Sequence, residues 1–507
     1  MPWHYEQSME RVQKHLTNLD DIEVERLDRE MDLENLSEKT CRQIYGAHAY
    51  IDVRNLSALV NEMDDDDGRR HVIQATHCYQ REVARIADAV GAVRVQFQSA
   101  RTHLLIYRPI RNATQIAGKA LLAQLVCDRF GDVFSETYAT LPDLHVRSGS
   151  DIGDAIGTRN GVQGDRELLF LGAPANHAAK LLATGSDRRV SVAMRRALPE
   201  DLAAFVEDDP EGGLRLRRPT DTEFTKLLEN YAVSWSAEGS RERLEADRRA
   251  FPLSKAAISS AGVKIDFDTL SFTNNKFAAG ATLYGDVSGF TAYIDGATTT
   301  AAQREALKSF HAVRKEMAKV VADDFDGIRV QYQGDRVQGF FHMPPDDRTR
   351  FSEDAVRAAV GLQSSFELIL KVLRPDLATT GIAVGVSEGD TIATKLGEYG
   401  HRDRLCLGTG VLRAERNEER VDRREIGISQ NVRDNVPAEL RTFFTWRDSA
   451  GCYVASALDQ NVLDLAEGAR DLNRGKPVFV RSAGAGMGIS TRPGTGTRRS
   501  PSPSHGG

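Results

Sequence analysis

Tyr50-Ile-Asp-Val-Arg-Asn-Leu-Ser57 returns later in the chain as Tyr284-Gly-Asp-Val-Ser-Gly-Phe-Thr291. Three further segments recur in the same order. Val93-Arg-Val-Gln-Phe-Gln-Ser-Ala100 matches the core of Ile328-Arg-Val-Gln-Tyr-Gln-Gly-Asp335. Gly172-Ala-Pro-Ala-Asn-His-Ala-Ala-Lys180 aligns with Gly408-Thr-Gly-Val-Leu-Arg-Ala-Glu-Arg416, and Val190-Ser-Val-Ala-Met-Arg-Arg-Ala-Leu-Pro199 with Ile428-Ser-Gln-Asn-Val-Arg-Asp-Asn-Val-Pro437. Asp52 and Ala100 are 48 residues apart, and Asp286 and Asp335 are 49 apart. The next interval is 76 residues from Ala100 to Asn176 and 77 from Asp335 to Leu412. Chance matches do not hold register over such lengths, so the chain is a duplicated domain with a linker near Ser234–Ser254.

Each half reads as α+β. Asp52 and Asp286 end short runs of strand character. Helical spacing follows over Ala302–Val321. Arg329-Val-Gln-Tyr then leads through Gly334-Asp335 into Val337-Gln-Gly-Phe-Phe341, a hairpin with Asp335 in its turn. A second helix over Ser352–Leu373 and a strand over Thr380–Val386 complete βαββαβ, a ferredoxin-like order. The expected layout is an N-terminal helical segment over 1–40, one domain over 41–235, a linker over 236–269, a second domain over 270–475 and a disordered tail over 482–507. The tail is rich in Gly, Ser, Pro, Thr and Arg and too poor in large apolar residues to order itself. Its Gly484, Gly486 and Gly488 lack the flanking strand and helix of a phosphate loop.

With 507 residues, each half can bury its own core. A net charge of -7 leaves no basic excess for a dedicated nucleic-acid binder. Five scattered cysteines with no C-x-x-C pair argue for a reducing compartment, and against a disulfide framework or a zinc site. Residues 1–20 are too polar for a signal peptide. No apolar run approaches the roughly 20 residues that span a bilayer. The chain is read as cytoplasmic. The Asp64–Asp67 run reads as a solvated loop, and His71 and His77 show no metal-ligand spacing.

Asp286 ends an apolar strand before a small-residue turn, Ser288-Gly289, and Asp335 sits in a Gly-Asp turn. If their strands are neighbours, both carboxylates leave one sheet edge. Converging carboxylates call for hard divalent cations such as Mg²⁺ or Mn²⁺ shared with substrate phosphates. Singly, each is only a turn residue.

Together, Leu283-Tyr-Gly-Asp286-Val-Ser-Gly-Phe-Thr291 and Gln333-Gly-Asp335-Arg resemble the metal-binding pair of class III nucleotidyl cyclases. Asn176 and Lys180 resemble the Asn and, four residues on, the Arg that this family places on one helix face. The likeness covers roughly residues 41–235 and 270–470, and implies two tandem class III cyclase domains packed as a pseudo-symmetric pair. In that family an active site lies between two domains. The resemblance implies two divalent metal ions at Asp286 and Asp335 with Val287 beside the first, nucleotide contact at Phe290, a ribose-orienting Asn176 and a phosphate-facing Lys180. Lysine is a departure, since it supplies charge without arginine's planar fork. The partner site would need Asp52, Ala100, Leu412 and Arg416. It lacks a second carboxylate and the orienting amide, which implies one working centre and one degenerate centre.

Purine cyclases of this class read the base with Lys or Glu and with Asp or Cys, at positions that fall here on Gln96 and Leu169. Their absence, the Gln-Phe-Gln and Gln-Tyr-Gln strands and the duplication make the chain resemble the bacterial anti-phage pyrimidine cyclases. That resemblance implies an NTP substrate, UTP ahead of CTP, a cyclic nucleotide product and a separate effector protein that responds to it. Gln96 and Arg94 are candidate contacts to the pyrimidine edge, and Tyr45 a candidate stacking partner. A homodimer is not required by the tandem architecture and not forbidden by it. A purine cyclase with an unusual pocket and a non-catalytic nucleotide sensor are the competing readings.

Overall fold

Thr40–Val53 and Asn275–Ser288 are the long leading strands of two nine-stranded sheets. The computed structural model describes residues 3–98, 101–160, 167–182, 185, 187–398, 401–473, 479–480 and 489–490. In the N-terminal half the sheet runs Val93–Gln98, Arg101–Ile106, Thr40–Val53, Val146–Asn160, Arg188–Val190, Leu214–Leu216, Val206–Asp208. In the C-terminal half it runs Ile328–Gln333, Arg336–Phe341, Asn275–Ser288, Gly381–Glu398, Glu425–Ile428, Cys452–Ser456, Thr445–Arg447. In both, hairpin, leading strand and fourth strand stand in the ferredoxin-like order, so the duplicated βαββαβ reading holds. Residues 458–507 form a separate unit. It holds the helix Gln460–Asn473 and the pair Phe479–Val480 with Ile489–Ser490. The rest of the segment expected to be a disordered tail lies outside the described residues.

One face of each leading strand packs on helices. Ala47, Ala49, Ile51 and Val53 bury against the helices Asp66–Val90 and Ala113–Thr137. Asp65 caps the first of these by accepting the Gly68 N–H at 2.7 Å, and Asp66 and Asp67 fill its first turn. The acidic run therefore starts a helix, where carboxylates complement the N-terminal dipole, and is not the loop expected.

The two halves share a core. The fourth strand and its partner in the C-terminal half, Gly381–Glu398 and His401–Leu407, form an arm that reaches over the N-terminal half. Its Ile392, Leu396, Leu405 and Leu407 pack into the cluster of the N-terminal helices. There His77 accepts the Gly397 N–H. The reciprocal arm brings Thr158 within 3.1 Å of His311 Nε2, and Glu167 within 2.7 Å of the fully buried Arg314, which lies over the Tyr332 ring.

The residues expected as a helical segment (1–40) and as a linker (236–269) belong to the repeat. Each holds one α-helix, Tyr5–Asn18 or Ala237–Ala250, and a short strand parallel to the leading strand. The helices are crossed. Tyr5–Asn18 packs on the C-terminal half, where Ser8 and Arg11 bind the buried Glu316. Ala237–Ala250 packs on the N-terminal half, where Ser240 and Arg243 bind the buried Glu82.

Burial pushes the His77 imidazole down to about 3. Its folded pKa lies below the unfolded value near 6.5, so below pH 6.5 the unfolded chain takes up the proton first and stability falls. Relative to His77→Gln, the parent should lose up to about 1.4 kcal/mol between pH 8 and pH 5.5. Chemical unfolding of both proteins at the two pH values measures this. The comparison cancels the opposite trend of buried carboxyls.

Candidate active site between the two halves

Tyr284 and Asp286 lie on one face of the leading strand. Leu283 and Val287 lie on the other, in the core. Asp286 stands opposite Ala383, near the strand end. The turn Gly334-Asp335 joins Gln333 to Arg336 with two residues. Gly334 has φ +68°, which a Cβ would strain, so glycine sets the turn that delivers Asp335. The hairpin pairs directly with the leading strand and brings the two carboxyls together.

Burial raises the Asp286 carboxyl. Burial, and then the charge on Asp286, holds Asp335 well above the usual carboxylate range. Among the described residues neither has an ion pair or a hydrogen bond from another side chain, and Asp335 is reached only by its own backbone N–H. The nearest cation, Arg336, is taken by the helix Thr409–Glu419. It pairs with Glu418 and lies 2.9 Å from Glu415 and 3.8 Å from Glu419. Burial lifts the Glu418 carboxyl to about 8. Two part-buried carboxylates that repel, with only the charge of Arg336 shared from its glutamate partners to offset them, fit divalent ions. Among the described residues no group of three or more His, Cys, Asp or Glu could hold a metal. Magnesium-type sites commonly use one or two carboxylates and complete the shell with water and phosphate. The Val287 side chain is buried, so only its carbonyl oxygen could join them.

The N-terminal half faces this pair with the helix Ala173–Lys180, which touches the helix Phe290–Asp295 just beyond Asp286. Gly149 seats it, because a Cβ there would lie 2.5 Å from the Ala178 carbonyl oxygen. His177 Nδ1 lies 3.0 Å from Asp151, which also accepts the Ser191 hydroxyl. Asn176 and Lys180 share one helix face. Asn176 is half-exposed and Lys180 exposed, and the lysine opposes the burial-driven rise of the Asp295 carboxyl in the other half. The structure thus brings Asn176 and Lys180 beside the helix Phe290–Asp295 of the other half.

Other expected contacts fall elsewhere. Phe290 is buried beside Phe310 and Tyr293, with ring centroids 5.5 and 5.3 Å away. Its ring is a core group, which leaves only its main chain for a nucleotide. Gln96 donates to the Tyr332 carbonyl and accepts from Gln98, while Arg94 pairs with Asp403 at 2.9 Å. Both are held in the contact between halves. Tyr45 shares the helix-packed face of its strand with Ala47 and Ala49, opposite the face of Tyr50 and Asp52. Seven residues separate Tyr45 from Asp52, and an odd separation in a strand reverses the face. The stacking role expected for Tyr45 is not supported by this placement.

The pseudo-symmetric counterpart is built differently. Asp52 stands opposite Arg147 in the sheet, where Asp286 has Ala383. Arg147 binds Asp52 through Nε at 3.0 Å and Nη2 at 2.6 Å, and Arg101 lies at 3.5 Å. Leu412 and Arg416 complete the counterpart. Ala100 lies outside the described residues. Sequence reading did not assign Arg147 a role, because its pairing with Asp52 emerges only once the two strands are in register.

No protein-family model matches the chain. The chain is 28% identical over 460 residues to a curated Pseudomonas aeruginosa protein named uridylate cyclase, covering 87% of this chain and 88% of that protein. It is 29% identical over 470 residues to a Rhizobium sp. protein of the same name, covering 87% and 85%. A solved structure, a class III adenylyl cyclase-like ATP-binding protein from Pseudomonas aeruginosa, matches with TM-score 0.79 and 26% identity over 92% of this chain and 99% of that one. Two sheets of one strand order joined in a single polypeptide match the architecture of two tandem class III cyclase-like domains, and the chain is similar along most of its length to proteins named uridylate cyclase.

Proposed function

We propose that the chain is a metal-dependent nucleotidyl cyclase with one working centre, converting UTP to cyclic UMP and diphosphate. The observation that carries this reading is the contrast between the two halves. Among the described residues Asp286 and Asp335 have no cation of their own, whereas Asp52 is neutralised by arginines. Mn²⁺ or Mg²⁺ bound at the pair would neutralise a triphosphate and favour ionisation of the ribose hydroxyl. Asn176 orients the ribose by its amide, and Lys180 adds charge where the phosphate develops it. Gln96, held by Tyr332, and the aliphatic Leu169 leave no acid or amine to read a purine edge. The relatives named uridylate cyclase support the pyrimidine choice. The product would act as a second messenger in anti-phage defence through a separate effector protein. Among the described residues no helix is long and apolar enough to cross a membrane.

Incubation of the full chain with each of the four NTPs, with Mn²⁺ or Mg²⁺, tests the reading. Cyclic UMP is the expected main product. Predominant cyclic AMP or cyclic GMP would overturn the base assignment, and no cyclic product under any condition would overturn the activity.

A further inference from the structure

The counterpart centre holds a half-open cavity of about 170 Å³. It is lined by Arg54, Arg101, Arg147 and Arg416, together with Asp52 and Leu412. Glu415 and Glu419 also border it, and both lie against Arg336. Asp52 cannot serve as a metal ligand here without giving up Arg147 and Arg101. Leu412 removes the amide that would hold a sugar. What remains is donor capacity. Arg101 Nε is buried with no hydrogen-bond partner, and exposed Arg416 has no ion pair or hydrogen bond among the described residues. Arg54 has an outer partner, Asp187, at 3.1 Å, with both side chains open to solvent. Guanidinium forks match phosphate oxygens in geometry and charge.

We propose that this cavity is a metal-independent site for a diphosphate group. At about 30 Å³ per water it has room for roughly six waters. That is below the roughly 300 Å³ at which pockets begin to hold whole drug-sized ligands. A diphosphate fits inside, and the base and sugar of a nucleotide would have to extend through the open side. The group can come from free inorganic diphosphate or from the tail of a nucleotide whose base and sugar stay outside. The arginines here supply the positive charge that divalent ions would supply at the other centre. The proposal does not depend on the cyclase reading, because binding requires neither turnover nor metal.

Titration calorimetry of the full chain in EDTA, with inorganic diphosphate and separately with UTP, tests it. Arg54 and Arg416 are exposed, so R54Q/R416Q should fold as the parent does, which circular dichroism checks. Diphosphate should bind the parent, bind R54Q/R416Q at least about 10-fold more weakly, and bind D335N as it binds the parent. UTP at least about 10-fold weaker than diphosphate supports the site and assigns it to the free ion. UTP of equal affinity, lost in the same double variant, supports the site and assigns it to a nucleotide tail. No binding up to about 1 mM diphosphate overturns the proposal. So does binding lost in D335N but kept in R54Q/R416Q, which would put the ligand in the other centre.

Discussion

Asp335→Asn should lower metal-dependent cyclic nucleotide formation by roughly 10³-fold, with the fold intact. Asparagine keeps the size of the side chain and removes the charge that a divalent ion needs. The hairpin turn depends on Gly334 and not on the carboxylate, so the strands should pair as before. A second readout separates this role from a structural one. In the metal-free protein Asp335 is buried beside Asp286, which raises its carboxyl. Removing one of two repelling groups should therefore raise the melting temperature of the metal-free protein. The rise in melting temperature on adding Mn²⁺, present in the parent, should disappear. A variant that loses activity and also melts lower would show Asp335 to be a structural group.

Asn176→Ala should lower kcat by about 10²-fold, while leaving the stabilisation by Mn²⁺ unchanged. The amide is on a helix of the other half, held over the sheet by the close approach at Gly149 and by His177 on Asp151. It is half-exposed, so its truncation opens no cavity. The predicted signature is a split: lost turnover, retained metal response. Equal kcat in parent and variant would remove Asn176 from the mechanism, and a lost Mn²⁺ response would make it part of the metal site.

The repeat, the ferredoxin-like strand order, the hairpin around Asp335 and the pairing of Asp286 with Asp335 were legible because each rests on local patterns at matching spacing. Asn176 and Lys180 were singled out through the resemblance to class III cyclases, and the comparison of halves only showed which half retains the amide. Arg147 was not, because its role is a cross-strand one and register is invisible until strands are paired. Tyr45 was placed on the wrong face for a reason the sequence already contained, since strand parity separates it from Asp52. The Ser8-to-Arg11 helix and its counterpart at Ser240 to Arg243 escaped notice because short charged segments look like surface. Their buried partners, Glu316 and Glu82, are far off in sequence.

That crossing has a consequence for the whole polypeptide. Trp3, Ser8 and Arg11 reach Ser365 and Glu316, so the Tyr5–Asn18 helix is fastened to the half that carries Asp286 and Asp335. Glu82 is likewise closed over by a helix that precedes the opposite domain. Neither half is a detachable module. A fragment ending before residue 237 would strip Ser240 and Arg243 from Glu82 and leave it Arg85 alone, and one starting after residue 18 would leave Glu316 the Ser365 hydroxyl but no guanidinium. The two repeats behave as clasped hands: the division of labour between centres persists because neither hand can open alone.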